Sequence, residues 1–240
     1  MKNKTADVSG NCDPPLGLER IKISAAIIIL LLQLLLNLPG TAYAKNIGTI
    51  IKAPVLNQFP ELPTGCEATS LTMLLNWAGV NVSKEEVAGS LPIGCIPTAK
   101  ENRLYGDNPH KAFVGNPFTV NGYGVYHEPI ADILNKYLPD SALDLTGASF
   151  EEILKAIDSG KPVIVWCTIG NVYPKISKTW QDEQGNIIIW KVPEHAVLLV
   201  GYDESHVIVN DPYMGQRCRY PLCSFEEHWE MMGKQAVTIN

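Results

Sequence analysis

The stretch that organises the chain is residues 57–79, NQFPELPTGCEATSLTMLLNWAG. Its second half places leucine and alanine at helical spacing and ends at Gly79, which predicts an amphipathic helix followed by a glycine cap. Its first half holds two prolines and Gly65, which disfavour a helix before Cys66. We therefore predict that Cys66 lies in the first helical turn, directly after an irregular loop.

This position bears on the chemistry of Cys66. The unpaired N–H groups and the positive dipole end of a helix N-terminus favour a thiolate, which is the nucleophilic form of cysteine. Gln58, in the approach loop, carries an amide that can donate a hydrogen bond to an oxyanion. A lone cysteine before an apolar helix is more often a buried hydrophobe or half of a disulfide, so a catalytic role depends on partners further along.

The N-terminal segment carries a targeting signal. Residues 23–38 are nearly all apolar, two basic residues precede them, and residues 42–44 read AYA, an A-x-A site for signal peptidase. Residues 1–44 are therefore predicted to be a signal peptide or, because the apolar run approaches a membrane span, an uncleaved N-terminal membrane anchor. In both cases residues 45–240 are exported, either secreted or attached to the outer face of the cytoplasmic membrane.

Composition limits the partners of this exported part. Residues 45–240 hold enough apolar side chains for one core, and no repeat or linker divides them. The chain has a formal net charge of −6 at pH 7 and no cluster of Lys or Arg, which argues against a nucleic-acid partner. Apart from Cys218 and Cys223, its His and Cys residues lack the paired short spacings of metal ligands, so we predict no metal and no other cofactor.

The cysteines outside the predicted leader are odd in number. The chain has six cysteines, and only Cys12 lies in residues 1–44. Two disulfides would therefore leave one free thiol in an exported domain. If the compartment is oxidising, one hypothetical pairing leaves Cys66 free. It joins Cys218 to Cys223 across a short turn, and Cys95 to Cys167.

Sequence patterns predict helices followed by strands. Two capping boxes, Ser83 with Glu86 and Ser149 with Glu152, each begin a short helix. Residues 93–124 show no sustained period and predict a long ordered loop that walls a binding cleft. Further predicted elements are a helix over 127–137, strands at 49–56, 161–168 and 187–190, and a hairpin of 194–202 with 206–212. The fold class is α+β, with N-terminal helices packed on a mainly antiparallel sheet.

The hairpin brings two chemically important residues together. Counting back from its turn places His195 opposite or diagonal to Asp211, within reach of a side-chain contact. A carboxylate beside an imidazole fixes its tautomer and stabilises the imidazolium, and Asn210 is an alternative orienting residue. His195 and Asp211 each have ordinary structural explanations, but with Cys66 they form a more specific set. The other histidines are predicted to be structural or surface residues: His110, His127, His206 and His228.

Several motifs, in order along the chain, carry a family resemblance: NQ at 57–58, GCEATS at 65–70, NWAGV at 76–80, EHAVLLVGY at 194–202 and NDP at 210–212. They resemble the bacterial peptidase C-thirty-nine-like family, papain-like cysteine peptidases related to the bacteriocin-processing double-glycine leader peptidases. The similarity runs from about residue 51 to residue 239. It implies a papain-like fold and the following roles: Cys66 as nucleophile, His195 as general base and acid, Asp211 as orienting residue, and Gln58 as oxyanion-hole side chain.

The same resemblance implies the reaction. Peptide or amide bonds would be cleaved by acyl transfer to water through a thioester intermediate. The expected partner is a peptide or a peptidoglycan stem. Two alternatives stay open, namely a cell-wall peptide amidase or acyltransferase on the same scaffold and a non-catalytic peptide-binding module, because a fold does not choose between them. Bacteriocin processors are typically fused to an ABC transporter and face the cytoplasm, so their leader-peptide substrate is not carried over.

Overall fold

The computed structural model describes residues 50–240. Its helices are α1 Cys66–Trp77, α2 Lys84–Gly89, α3 His127–Tyr137, α4 Phe150–Asp158 and α5 Leu222–Met231. Its strands are β1 Ile93–Gly94, β2 Thr98–Lys100, β3 Arg103–Tyr105, β4 Phe113–Val114, β5 Ala142–Asp144, β6 Val163–Thr168, β7 Lys175–Gln181, β8 Ile187–Val192, β9 Glu194–Tyr202, β10 His206–Asp211, β11 Gln216–Pro221 and β12 Ala236–Ile239.

The central sheet has six strands in the order β11-β10-β9-β6-β12-β5, and all its neighbours are antiparallel. Strand β6 is buried along its whole length, and β9 is buried except at its two ends. Such continuous burial requires cover on both faces, and apolar side chains of α1, α3, α4 and α5 share one core with the sheet. The predicted α+β class, with helices on a mainly antiparallel sheet, is confirmed.

Helix α1 is more buried than its sequence pattern predicted. Every residue from Cys66 to Leu75 is buried, so the helix has no broad polar face and is not amphipathic over this part. Its hydroxyls are satisfied locally: Thr69 Oγ1 donates to the carbonyl oxygen of Gly65 at 2.8 Å, and Thr72 repeats this one turn on. Ser70 Oγ donates to the carbonyl oxygen of Ala196 at 3.1 Å and so fastens α1 to the start of β9.

The local predictions that rest on capping and periodicity are confirmed. Both capping boxes form, with Ser83 and Ser149 accepting from the backbone N–H three residues later. Helix α3 has the predicted bounds, and β9 pairs with β10 as an antiparallel hairpin. None of the helices within residues 50–240 is long and apolar enough to cross a membrane. The predicted leader or anchor, residues 1–44, lies outside the described residues and stays a prediction.

Two other predictions are wrong. Residues 50–56 form no strand; Ile51 donates one backbone bond to Val200, and Pro54 limits further pairing. Residues 93–124 are not one long ordered loop, because β1 and β4 pair with each other while β2 and β3 join a second sheet in the order β2-β3-β7-β8. Strand β7 lies between the predicted strands at 161–168 and 187–190, where no strand was predicted. A small apolar cluster that includes Trp180 and Trp190 packs beneath this second sheet.

Candidate active site

A cleft of about 320 Å³ contains three of the four predicted site residues, Gln58, Cys66 and His195. The start of α1 and the start of β9 form its floor. Its walls include the backbone of Gly122 and aromatic side chains, namely Tyr123, Trp190 and Tyr213. A larger depression of about 630 Å³ lies elsewhere, beside residues 76–81, but no nucleophile or acid–base pair lines it. The predicted nucleophile and base therefore line the smaller cleft and not that depression.

Cys66 is the first residue of α1, as predicted, and its side chain is buried. Gly65 precedes it because no larger residue fits: a Cβ there would lie 2.9 Å from Cβ of Leu62. The thiol Sγ of Cys66 donates a hydrogen bond to Oε2 of Glu67 at 3.3 Å. The chain therefore enters the helix tightly packed, with the sulfur held at the cleft.

The acid–base behaviour of Cys66 differs from the prediction. Burial raises the pKa of its thiol well above the ordinary value, and the negative charges of Glu67 and Glu194 raise it further. A helix N-terminus contributes only about 0.3–1 kcal/mol to an anion, which is less than the cost of burying a thiolate beside two acids. The resting side chain is therefore a thiol, and its proton must leave before or during attack.

His195 and Asp211 form a buried pair, each about 1% exposed. Nε2 of His195 lies 2.8 Å from Oδ1 of Asp211. Asn210 pairs with Leu198 in the hairpin register, so Asp211 lies one step further along, diagonal to His195 as predicted. Since Nε2 faces the carboxylate, Nδ1 is the ring nitrogen that remains for an atom in the cleft.

Asp211 is surrounded by donors. Its Oδ1 also accepts from the backbone N–H groups of Tyr213 at 2.9 Å and Met214 at 3.2 Å, and its Oδ2 accepts from the hydroxyl of Tyr220 at 2.9 Å. Burial opposes ionisation, but His195 and these hydrogen bonds outweigh it and hold the pKa of Asp211 below its ordinary value. Asp211 is therefore a carboxylate at neutral pH, able to orient His195.

Asn210, the alternative orienting residue, faces elsewhere. Its Nδ2 donates to the carbonyl oxygens of Ala53 and Pro54, and its Oδ1 accepts from Nε of Arg217. These contacts anchor residues 53–54 to β10. The amide has no contact with His195, so this alternative is wrong.

Gln58 is 2% exposed and lies at the edge of the same cleft. Its Nε2 donates to the carbonyl oxygen of Pro63 at 3.0 Å, which fixes the amide plane and leaves the second N–H for a ligand. Its backbone N–H donates to the carbonyl oxygen of Pro212 at 2.9 Å. The approach loop is thereby tied to the end of β10, next to Asp211.

Glu67 and Glu194 are site residues that the sequence reasoning missed. Oε1 of Glu67 accepts from the backbone N–H of Val125 at 2.7 Å, whereas Oε1 of Glu194 is buried and has no partner within residues 50–240. One oxygen of each lies within 4.8 Å of Sγ of Cys66. The carboxyls also crowd the backbone, since a Cβ at Gly124 would lie 2.5 Å from Oε1 of Glu67. The sequence feature that could have identified them is their position next to the predicted nucleophile in GCEATS and next to the predicted base in EHAV.

The two carboxyls hold protons unusually tightly. Burial raises the pKa of Glu67 to about 7 and raises that of Glu194 well above its ordinary value, with the charge of Glu67 adding to the second shift. At neutral pH the pair therefore retains a proton beside Cys66. A protonated neighbour repels a developing thiolate less than two carboxylates would.

The cysteines form no disulfide among the described residues. All five are free: Cys66, Cys95, Cys167, Cys218 and Cys223. Cys167 is buried in β6 whereas Cys95 is exposed, which does not suit a bond between them. The hypothetical pairing is therefore wrong for this structure.

Comparison with known proteins identifies the family. The model of the Peptidase_C39 like family matches residues 50–237. The chain belongs to this family. The match includes the start of α1 and the whole β9–β10 hairpin, so the family predicted from the sequence motifs is confirmed.

Relatives of this C39-like chain agree with that placement. The uncharacterized protein YvpB of Bacillus subtilis is 38% identical over 180 residues, which is 75% of this chain and 70% of YvpB. A crystal structure described as a C39-like peptidase from Bacillus anthracis is 35% identical, with a TM-score of 0.71, over 80% of this chain and 97% of that one. A double-glycine motif protease from an AMS/PCAT transporter, in complex with the leader peptide, is 16% identical with a TM-score of 0.45, over 79% of this chain and 93% of that one. The family and fold support peptidase-like activity.

The Glu67–Glu194 pair gives this C39-like domain a testable pH dependence. A carboxyl whose pKa rises from 4.5 to about 7 on folding stabilises the fold fully below pH 4.5 and loses that contribution as pH rises to 7. Glu67→Gln removes this titration. Between about pH 5 and about pH 8 we therefore expect the free energy of unfolding of the variant to fall less than that of the wild type, by up to about 3 kcal/mol. Urea denaturation at both pH values measures this.

Glu183→Gln, an exposed change on the β7–β8 turn, is the matched control and should follow the wild type. If Glu67→Gln loses stability between the two pH values as much as the wild type does, Glu67 does not hold the proton.

Proposed function

We propose that this protein is an exported papain-like cysteine hydrolase that cleaves peptide or amide bonds with Cys66, His195 and Asp211. The observation that carries the proposal is the buried hydrogen bond of 2.8 Å between Nε2 of His195 and Oδ1 of Asp211. This bond orients an imidazole that lines the same cleft as Cys66. An oriented imidazole beside a cysteine at a helix start is the arrangement that nucleophilic acyl transfer requires.

The first half of the reaction forms a thioester. The thiol of Cys66 turns from Oε2 of Glu67 to Nδ1 of His195, which takes its proton, and the sulfur attacks the carbonyl carbon of the substrate. Asp211 stabilises the resulting imidazolium through Nε2. The oxyanion receives hydrogen bonds from the backbone N–H of Cys66 and from the remaining N–H of Gln58 Nε2. His195 then gives its proton to the leaving amine, the C–N bond breaks and the acyl group stays on sulfur.

The second half restores the enzyme. His195 takes a proton from water, whose oxygen attacks the thioester carbonyl in the same oxyanion site. The C–S bond breaks, the acid leaves, and the proton returns to the sulfur of Cys66 through His195. The raised pKa of Cys66 disfavours a thiolate in the free enzyme. In this proposal the thiol is therefore deprotonated during substrate binding and attack.

Substrate class is tested by comparing a peptide library with purified cell wall. A peptidase releases new peptide N-termini from the library, whereas a cell-wall amidase releases stem peptides or their fragments. Absence of turnover on both, together with retained peptide binding, would favour the binding module and contradict hydrolysis. Mass spectrometry of the products from wild type and Cys66→Ala separates these outcomes.

Export is part of the same proposal and rests on the sequence of residues 1–44. N-terminal sequencing of the protein recovered from culture supernatant and from membranes tests it. A secreted form beginning at Lys45 supports a cleaved signal peptide, and a full-length membrane form supports the anchor. Recovery only from the cytoplasm contradicts export.

Gln58→Ala is expected to lower kcat on the order of a hundredfold, the usual effect of removing one oxyanion donor, with little change in KM. The reason is that the amide acts on the tetrahedral intermediate and not on the ground-state carbonyl. Steady-state kinetics on a peptide substrate found in the library measures both constants. Thermal unfolding of the variant controls for loss of the hydrogen bond to Pro63. An unchanged kcat removes Gln58 from this role.

A further inference from the structure

We propose that His110, His127 and Glu128 form a binding site for a divalent transition metal ion, with Zn²⁺ as the best match. One donor atom from each residue lies within 4.8 Å of the other two. Nδ1 of His110 is 2.9 Å from Oε1 of Glu128, and Nε2 of His127 is 3.1 Å from Oε2 of Glu128. Ligands of a tetrahedral zinc ion stand roughly 3.3 Å apart at zinc–ligand distances of about 2.0–2.1 Å, so small side-chain shifts admit the ion.

The donor set suits zinc more than a hard cation. Two imidazole nitrogens and one carboxylate are ligands that Zn²⁺ accepts, whereas Ca²⁺ and Mg²⁺ prefer oxygen ligands throughout. His110 and Glu128 have side chains that are 44% and 42% exposed. An ion can therefore enter from solvent and keep a water molecule as its fourth ligand.

A second carboxylate orients one of the ligands. Nδ1 of His127 lies 2.6 Å from Oδ2 of Asp144, at the end of β5, so the other ring nitrogen, Nε2, faces Glu128. Metal-binding histidines usually donate their non-ligating nitrogen to such a carboxylate, which fixes the ring and raises its basicity. The side chain of His127 is only 12% exposed, so its orientation is well constrained.

His110 is also positioned in advance. Its backbone N–H donates to Oδ1 of Asn108 at 3.0 Å, and Nδ2 of Asn108 donates to buried Asp182 at 2.9 Å. The ring of His110 contacts that of Tyr126 edge-on, with centroids 4.8 Å apart. The loop that carries His110 is therefore held against the start of α3 before any ion binds.

The location suggests what the ion would do. His110 belongs to the segment between β3 and α3, and the same segment supplies Gly122 and Tyr123 to the cleft. None of the three proposed ligands lines that cleft. The ion would therefore fasten the cleft wall to α3 and stabilise the fold, without contacting substrate.

Sequence spacing predicted no metal site, because His110 and His127 lie in different elements and their separation matches no short ligand motif. The fold supplies the proximity. In the absence of an ion, the same groups form hydrogen bonds and ion pairs with one another, and the experiment must distinguish that network from a metal site.

Co²⁺ is the probe, titrated into chelator-treated full-length Cys66→Ala protein, since the active-site thiol would compete. We expect one Co²⁺ per chain, with visible bands of four-coordinate cobalt and no thiolate-to-cobalt charge transfer, and displacement by Zn²⁺. His110→Ala and Glu128→Gln should each abolish the visible bands. Asp144→Asn should weaken Co²⁺ binding by roughly 10–100-fold.

His206→Ala, another partly exposed histidine with a carboxylate neighbour, is the matched control and should bind like its parent. Zn²⁺ should also raise the thermal unfolding temperature of the parent and not that of His110→Ala, whose exposed side chain can be removed with little effect on the core. Absence of binding, charge transfer from sulfur, or retained bands in His110→Ala overturns the proposal. Circular dichroism confirms that each variant folds.

Discussion

Cys66→Ala is expected to reduce turnover by roughly 10⁴–10⁶-fold while the protein stays folded. The loss follows because the acyl intermediate of the proposed mechanism forms on the sulfur of Cys66, and no other cysteine of residues 50–240 lines the cleft. Only one heavy atom is removed from the first turn of α1, so the stability cost should be about 1 kcal/mol. Product formation from a peptide substrate and urea denaturation of the same preparation measure the two effects.

Cys95→Ala and Cys223→Ala are the matched controls, since both thiols are free and exposed. They should keep full activity and so exclude a surface thiol as the nucleophile. Residual turnover in Cys66→Ala near the wild-type level contradicts the proposed chemistry. Unfolding of that variant would show that the sulfur serves the core.

The second large effect is expected at Asp211, where two substitutions separate charge from packing. Asp211→Ala leaves the imidazole of His195, the hydroxyl of Tyr220 and two backbone N–H groups without their acceptor. Breaking a buried pair in this way should cost about 3–5 kcal/mol of stability and about 10⁴-fold in kcat. Asp211→Asn keeps an oxygen for the three Oδ1 donors, but it removes the charge and turns an N–H group toward the Tyr220 hydroxyl in place of Oδ2, so it should lose less stability than Asp211→Ala.

The sign of the pH dependence follows from the lowered pKa of Asp211. Its ordinary value is 3.8, and the folded value is lower, so its stabilisation is fully present above pH 3.8 and disappears as pH falls through the folded pKa. The stability difference between wild type and Asp211→Asn should therefore be largest near neutral pH and shrink in acid. Urea midpoints across that range measure it. A constant difference, or Asp211→Ala as stable as Asp211→Asn, contradicts the proposed role.

Local sequence signals explain why part of the fold was predictable. The capping boxes at Ser83 and Ser149 and the alternation of the β9–β10 hairpin specify their own structure over a few residues. Strand β7 was missed because exposed polar residues dominate it and its strand state depends on pairing with β8 and β3. Residues 50–56 show the reverse case, in which a local strand pattern finds no extended partner.

The candidate site likewise has features that the sequence predicted and features that only the folded structure shows. Cys66, His195, Asp211 and Gln58 were found because residue type, position in an element and family motifs agree. The raised pKa of Cys66 was not predictable, since its burial and its proximity to Glu194 depend on the tertiary structure. The cluster of His110, His127 and Glu128 was not predictable for the same reason, because only the folded chain brings His110 against the start of α3.

Alkylation by iodoacetamide, located by peptide mass spectrometry, tests most directly whether His195 activates Cys66. Wild type and His195→Ala are treated under native conditions, and modification is quantified separately at each cysteine, with exposed Cys223 as internal reference. Because His195 takes the thiol proton as the sulfur attacks the reagent, the proposed chemistry predicts stoichiometric modification of Cys66 in the wild type and its loss in His195→Ala, with Cys223 unchanged. Equal modification of Cys66 in both proteins would contradict activation by His195 and with it the proposed hydrolase.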